Sequence, residues 1–323
     1  MSNTRVLPYF HPTTVVAVDD SELFSLGVEL RLPPILAFES FSDPQCALDR
    51  VNQNASEPTL LQRIVRSTHP PNLELADIQN ELARGARFER ATVAVVDYAM
   101  PAMSGVELCS QIVDPLVRKI LITGVADQRL AMRALNNGQV DRCLVKGDRR
   151  MFPKLISYIR ELQRQYFIQE HDGIDPAGGL ELPAYSLDTS FSKCFEVLRR
   201  TLNIVEYYSV SSPPGVLMAT AEGEPVHLDL LEHDSYHCDG TSAQVPTDRV
   251  VHLKDVRSTI EFASPCLRHG RLTTMDTLIR FDGDRSWLFR IRTLGLCPRG
   301  PHLQASYSSY LSQLDSAHAN AEL

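Results

Sequence analysis

Ala91-Thr-Val-Ala-Val-Val-Asp97-Tyr-Ala-Met-Pro-Ala-Met-Ser-Gly105 is the stretch from which the fold of the first half can be read. Ala91–Val96 is an unbroken apolar run of strand length, rich in valine, as a strand covered on both faces requires. It stops on an acid, Asp97. Ser104–Val113 follows with helical spacing. The same texture recurs on either side. Thr13–Val18 reads as a strand, followed by a helix over Ser21–Leu32 with Ser21 as a natural N-cap. Ile35–Phe38, Lys119–Ile122 and Arg142–Val145 read as further strands. Asp127–Asn136 reads as a helix stopped by Gly138, and Met151–Gln169 as a helix with Pro153 in its first turn. Strands alternating with helices predict βαβ units. Five of them with right-handed crossovers predict an α/β doubly wound five-stranded parallel sheet.

The chain has 323 residues, enough for two domains. The expected boundaries are an N-terminal tail over 1–12, the parallel-sheet domain over 13–150, an extended helix and linker over 151–187, and a second domain over 188–323. Asp20 and Asp97 are 77 positions apart, more than one helix, one strand and one helix need. The surplus lies at 52–89. Leu60, Leu61, Ile64 and Val65, then Leu75, Ile78 and Leu82, predict two inserted helices broken at His69-Pro70-Pro71. Beyond the glycine- and proline-rich linker the texture changes. Helices are expected over Phe191–Tyr208, Glu261–His269 and Leu303–Leu314. One hairpin is expected over Gly215–Ala221 and Val226–Leu231, and another over Thr273–Phe281 and Trp287–Leu294. This half reads as α+β with an antiparallel sheet.

Composition excludes several classes. The hydrophobic fraction is 43%, which rules out wholesale disorder, and the net charge of −8 disfavours a sequence-blind grip on nucleic acid. No run of 18 apolar residues exists, and the N-terminus has no signal-peptide core, so no membrane span is expected and a cytoplasmic location is. The seven cysteines are scattered and never spaced C-x-x-C, which fits reduced thiols.

Asp19 and Asp20 follow the first strand, Asp97 the third, Thr123 closes the fourth and Lys146 the fifth. In a doubly wound sheet these positions converge outside the carboxyl ends of the strands. Three carboxylates there repel one another unless a cation joins them, and oxygen-only ligation suits Mg²⁺. A lysine and a threonine hydroxyl beside them suit a tetrahedral oxyanion. At Val16-Ala-Val-Asp-Asp-Ser21, Val96–Gly105, Ile120-Leu-Ile-Thr-Gly124 and Leu144-Val-Lys146 the sequence resembles the receiver domain of two-component response regulators, a flavodoxin-like fold. The resemblance covers about Thr13 to Ile168. It implies that Asp97 is the phosphoacceptor, served by a histidine kinase or phosphotransfer protein. It further implies that Asp20, Asp97 and the Ala99 carbonyl bind Mg²⁺, with Asp19 acting directly or through water, that Thr123 and Lys146 bond phosphoryl oxygens, and that Gly124 keeps space open beside the acceptor. The sequence departs from the family at Cys143, where an aromatic is usual, and at Gly147, where proline is usual. Ala99 and Val125 are apolar where water-orienting side chains are common.

In the second half, His233, His237, Cys238 and Asp239 have metal-ligand chemistry, but their context favours a polar loop. Asp282-Gly-Asp284 fits a hairpin turn better than a calcium loop. No basic recognition helix is present, and the helix and hairpin order is weakly similar to PAS-type sensory modules. The expected output is interaction with a downstream protein; the alternative is an output enzyme of unrecognised kind. Phe152, Leu155, Ile159, Leu162 and Tyr166 follow a heptad spacing, which predicts a homodimer through the 152–166 helix.

Overall fold

A computed structural model of the chain describes residues 6–67, 73–173, 183–211, 214–232, 250–253, 278–282, 286–293 and 305–321. In chain order its elements begin with β1 (Tyr9–Phe10), β2 (Thr14–Val18), α1 (Glu22–Glu29), β3 (Phe38–Phe41) and α2 (Pro44–Asn52). Then come α3 (Leu60–Ser67), α4 (Leu75–Leu82), β4 (Ala91–Asp97), α5 (Gly105–Ser110), β5 (Arg118–Thr123), α6 (Gln128–Asn136), β6 (Arg142–Val145) and α7 (Met151–Asp172). The rest are α8 (Ala184–Leu187), α9 (Thr189–Thr201), β7 (Ile204–Val210), β8 (Gly215–Thr220), β9 (Pro225–Glu232), β10 (Val250–Leu253), β11 (Leu278–Asp282), β12 (Ser286–Thr293) and α10 (Tyr307–Ala321). They fall into two compact units. One comprises Pro12–Leu61, Gly85–Ile174 and Tyr310–Leu323; the other comprises Met1–His11, Gln62–Arg84 and Asp175–Ser309.

The first unit holds a five-stranded sheet in the order β3-β2-β4-β5-β6, every pair parallel. Numbered within the sheet this is 2-1-3-4-5, the flavodoxin-like order, with its switch between β2 and β4. Apolar runs make both faces of the sheet bury side chains. On one face Ala47, Leu48 and Val51 of α2, Leu108 and Cys109 of α5 and Ala131 and Ala134 of α6 pack against Val16, Val18, Ala94, Val96 and Leu121. On the other, Val28 of α1 and Met151, Leu155, Ile159 and Leu162 of α7 pack against Val15, Val93, Val95, Ile120 and Ile122. Burying the four α7 side chains at roughly 2 kcal/mol each is ample to seat α7.

That packing removes the dimer seam expected on α7. Leu155, Ile159 and Leu162 have no exposed surface. Tyr166 is equally buried, and its hydroxyl donates to Asp114 Oδ2 at 3.1 Å. The heptad spacing reflects a helix lying along its own sheet, whose far end is reached by a helix of 22 residues.

The second unit holds a seven-stranded sheet in the order β1-β7-β8-β9-β12-β11-β10, antiparallel except for the parallel β10–β11 pair. Both expected hairpins form: β8 pairs β9 across a turn in which Gly223 has φ 84°, and β11 pairs β12. The helix expected over Phe191–Tyr208 ends at Thr201. Asn203 takes φ 53°, a left-handed conformation that asparagine tolerates, and Ile204-Val-Glu-Tyr-Tyr-Ser-Val210, β-branched and aromatic, becomes strand β7. Tyr9 and Phe10, read from sequence as part of a tail, form β1 against β7, with the Tyr9 and Tyr208 rings stacked at 6.1 Å. Both inserted helices are present, and residues 62–84 fall in this unit, where Ser211 N–H donates to the Leu73 carbonyl at 3.0 Å. The expected helix over Glu261–His269 and the His233, His237, Cys238, Asp239 cluster lie outside the described residues, as do two residues of the Asp282-Gly-Asp284 turn.

Candidate functional site

The crevice at the carboxyl ends of β2, β4, β5 and β6 is built by strand termination. β2 stops at Val18, and Asp19 is held by its backbone N–H bonded to the Phe41 carbonyl. Its Oδ1 accepts from the Ser21 backbone at 3.0 Å, while Ser21 caps α1 through Phe24 N–H. β4 ends on Asp97, whose register partner on β5 is Ile122, one residue short of Thr123. β6 ends at Val145 opposite Thr123, and the Lys146 backbone N–H donates to the Thr123 carbonyl at 2.9 Å.

Asp19, Asp20 and Asp97 each offer a carboxylate oxygen within 4.8 Å of the others. Lys146 Nζ stands 2.7 Å from Asp19 Oδ2 and 3.0 Å from Asp97 Oδ1. Asp19 and Asp97 are buried; Asp20 faces out. Burial pushes the Asp97 carboxyl above the usual carboxylate range, and the neighbouring Asp19 and Asp20 charges add to it, while Lys146 pulls it down. Burial acts to lower the Lys146 ammonium, but its bonds to Asp19 and Asp97 outweigh that and raise it. Among the described residues, Asp19 Oδ2 has no hydrogen-bond partner besides the Lys146 ammonium at ion-pair distance. A crowded, oxygen-only carboxylate set with an under-satisfied buried oxygen fits a small hard cation.

The remaining sequence-predicted residues are arranged around this cluster. Thr123 is fully buried, its Oγ1 donating to the Gly124 carbonyl at 3.1 Å. Ala99 is exposed two residues past Asp97, and a β-carbon on Gly124 meets nothing within 4 Å. Cys143 packs against the core face formed by α2, α5 and α6, and burial raises its thiol, so it fills space.

Two features escape a reading by residue type. The Ser104-Gly105 pair serves two purposes. Ser104 and Glu107 form a reciprocal capping box that starts α5. A β-carbon at Gly105 would lie 2.2 Å from the Asp97 carbonyl oxygen, so only glycine lets α5 approach the acceptor strand. The second feature lies in the other unit. His227 and Asp229 of β9 are both buried, with Nδ1 2.7 Å from the Asp229 carboxylate, and His227 Nε2 has no hydrogen-bond partner among the described residues. Their alternate spacing, i and i+2 on one strand, was the available signal.

No protein-family model matches the sequence, and no curated protein matches it. Among solved structures, the chain is similar to the Legionella pneumophila response regulator LqsR, with 26% identity and a TM-score of 0.72 over 98% of both chains. A response regulator receiver domain protein from Clostridium thermocellum matches 50% of this chain and 99% of its own, at 14% identity and a TM-score of 0.34. A CheY-like receiver domain protein from Methanospirillum hungatei JF-1 matches 49% of this chain and 98% of its own, at 17% identity and a TM-score of 0.34. Along nearly its whole length the chain is thus similar to a response regulator, and its five-stranded half has the flavodoxin-like strand order.

Proposed function

We propose that this protein is a response regulator phosphorylated on Asp97 by a histidine kinase or phosphotransfer protein, with Mg²⁺ bound by Asp19, Asp20, Asp97 and the Ala99 carbonyl. The observation that carries this reading is the convergence of three carboxylates within 4.8 Å with an ammonium bonded to two of them. A bound Mg²⁺ supplies charge neutralisation that lets an anionic phosphoryl donor approach an acidic crevice. Asp97 Oδ attacks the phosphorus of the donor, the bond from phosphorus to the donor nitrogen breaks, and an acyl phosphate forms as the imidazole leaves. Lys146, already beside Asp97, balances charge growing on the transferring group. Thr123 offers its hydroxyl to a phosphoryl oxygen once its bond to the Gly124 carbonyl is given up.

The output assigned to the seven-stranded unit is interaction with a downstream protein. The phosphoacceptor reading is tested with acetyl phosphate and Mg²⁺. Intact mass should rise by one phosphoryl group in the wild type and not in Asp97→Asn. Equal labelling of that variant would overturn the assignment.

A further inference from the structure

We propose that Phe24 is a positioning residue for Lys146 and that its ring ties the ammonium to α7. The inference rests on the phosphoacceptor reading and adds a residue that neither the strand ends nor the charged cluster identifies. Lys146 Nζ lies 4.6 Å from the centre of the Phe24 ring, within the range where the ring quadrupole attracts a cation. The ammonium is therefore held from two sides, by the carboxylates of Asp19 and Asp97 and by the face of an aromatic ring. The ring is itself fixed. Phe24 sits in the first turn of α1, where its backbone N–H is the one that Ser21 caps. Its ring stacks on Phe152 of α7 at 6.5 Å and 25°, and the Arg31 guanidinium lies 4.7 Å from the centre of the Phe152 ring.

Lysine is a mobile point charge on a flexible stem. Two acidic anchors can be exchanged when a phosphoryl group arrives, and the bond to Asp97 must change then. The contact with Phe24 does not involve either carboxylate, so it survives the exchange and confines the ammonium to the crevice. When Lys146 turns toward a phosphoryl oxygen, the ring that stays with it is stacked on α7, so the charge at the acceptor and the position of Phe152 are mechanically linked. An ordinary packing role for Phe24 is the alternative, since it also lies against the core that α1 and α7 share. Leucine would fill that space without a quadrupole, whereas tyrosine keeps the ring, and this separates the two.

The test compares Phe24→Leu, Phe24→Tyr and wild type in the full chain. With acetyl phosphate and Mg²⁺, Phe24→Leu should label Asp97 about two- to fivefold more slowly and Phe24→Tyr at the wild-type rate, as loss and retention of one cation–π contact imply. Without any donor, the Lys146 ε-methylene protons should be shifted upfield by the ring in the wild type and in Phe24→Tyr, and return to the ordinary lysine position in Phe24→Leu. The Phe152 ring resonances should move on labelling in the wild type and not in Phe24→Leu. Equal labelling rates in wild type and Phe24→Leu overturn the proposal. If the wild type does not label at all, the phosphoacceptor reading falls, and the donor-free Lys146 shift still decides the role of Phe24; an unshifted wild-type Lys146 overturns it. Should Phe24→Leu fail to fold, that same wild-type measurement decides.

Discussion

The two sheets bury their charges in different places. In the parallel sheet the charged groups of the crevice stand at strand ends, where Asp20 faces outward and the Lys146 side chain keeps 28% of its surface. In the seven-stranded sheet His227 and Asp229 sit inside a strand, at 3% and 7% exposure. The first arrangement can meet a partner and change charge state. The second cannot do so without opening the sheet, and its immediate worth is structural. The largest expected effect separates them. Asp97→Asn should abolish labelling by acetyl phosphate, while Asp229→Ala should leave labelling intact. The latter should lower stability by about 2 kcal/mol, because a buried imidazole loses its acceptor. Chemical denaturation alongside intact mass reads both, and a labelling defect in Asp229→Ala would break the separation.

The two units are alike in another respect. Each contains a glycine whose β-carbon would collide with a backbone carbonyl: Gly105 of α5 against Asp97 O at 2.2 Å, and Gly215 of β8 against Leu228 O at 2.3 Å. Neither oxygen is the tip of a flexible side chain, so alanine forces the backbone apart. Gly105→Ala and Gly215→Ala should each cost about 3 kcal/mol. A thermal melt that loses no stability for either variant would show that the approach is looser than these distances.

These residues also show where the sequence could be read and where it could not. Parallel strands all end on one side, so Asp19, Asp20, Asp97, Thr123 and Lys146, far apart in the chain, share one crevice as soon as the strand and helix alternation is recognised. The Ser104-Gly105 pair belonged to the recognised motif, yet its reason, the Asp97 carbonyl, depends on how closely α5 packs. The seven-stranded sheet has no such focus. Tyr9-Phe10 is too short for a periodicity, and its partner β7 lies some 200 positions away. The turn at Asn203 was hidden by the apolar residues on both sides of it, which suit helix and strand equally. On α7, a heptad spacing suits a seam between chains and a helix lying along its own sheet equally, and Ile159 and Leu162 lie on the sheet.

A smaller effect tests the crevice as a cation site. Asp97 titrates higher in the folded protein than in the unfolded chain, so the folded state binds the extra proton in that interval. Stability of the cation-free protein should therefore fall as pH rises from the ordinary aspartate range through the raised Asp97 value. Mg²⁺ should restore stability at neutral pH, by about 2.7 kcal/mol at a hundredfold excess over its dissociation constant. Asp97→Asn should be insensitive both to this pH interval and to the cation. An equal Mg²⁺ response in wild type and variant, measured by calorimetry, would place the cation elsewhere.

The smallest effect is the sharpest contrast with Gly105. Gly124 follows Thr123 at the mouth of the crevice, and a β-carbon there meets nothing within 4 Å. Its φ is not in the left-handed region, so alanine takes the same backbone without strain. Replacing such a glycine reduces the freedom of the unfolded chain, and Gly124→Ala should stabilise the fold by about 0.5 kcal/mol. The space beside it is nevertheless where a phosphoryl group on Asp97 would stand in the proposed reaction, with the Thr123 hydroxyl turned away from the Gly124 carbonyl to meet it. The methyl group should then slow labelling while the fold gains stability. Gly105→Ala loses both, because its glycine answers to the backbone. Opposite signs at Gly124, in denaturant midpoint and in labelling rate, would identify that glycine as kept for the incoming group. Unchanged labelling with the same small gain in stability would leave Gly124 with no role beyond the turn.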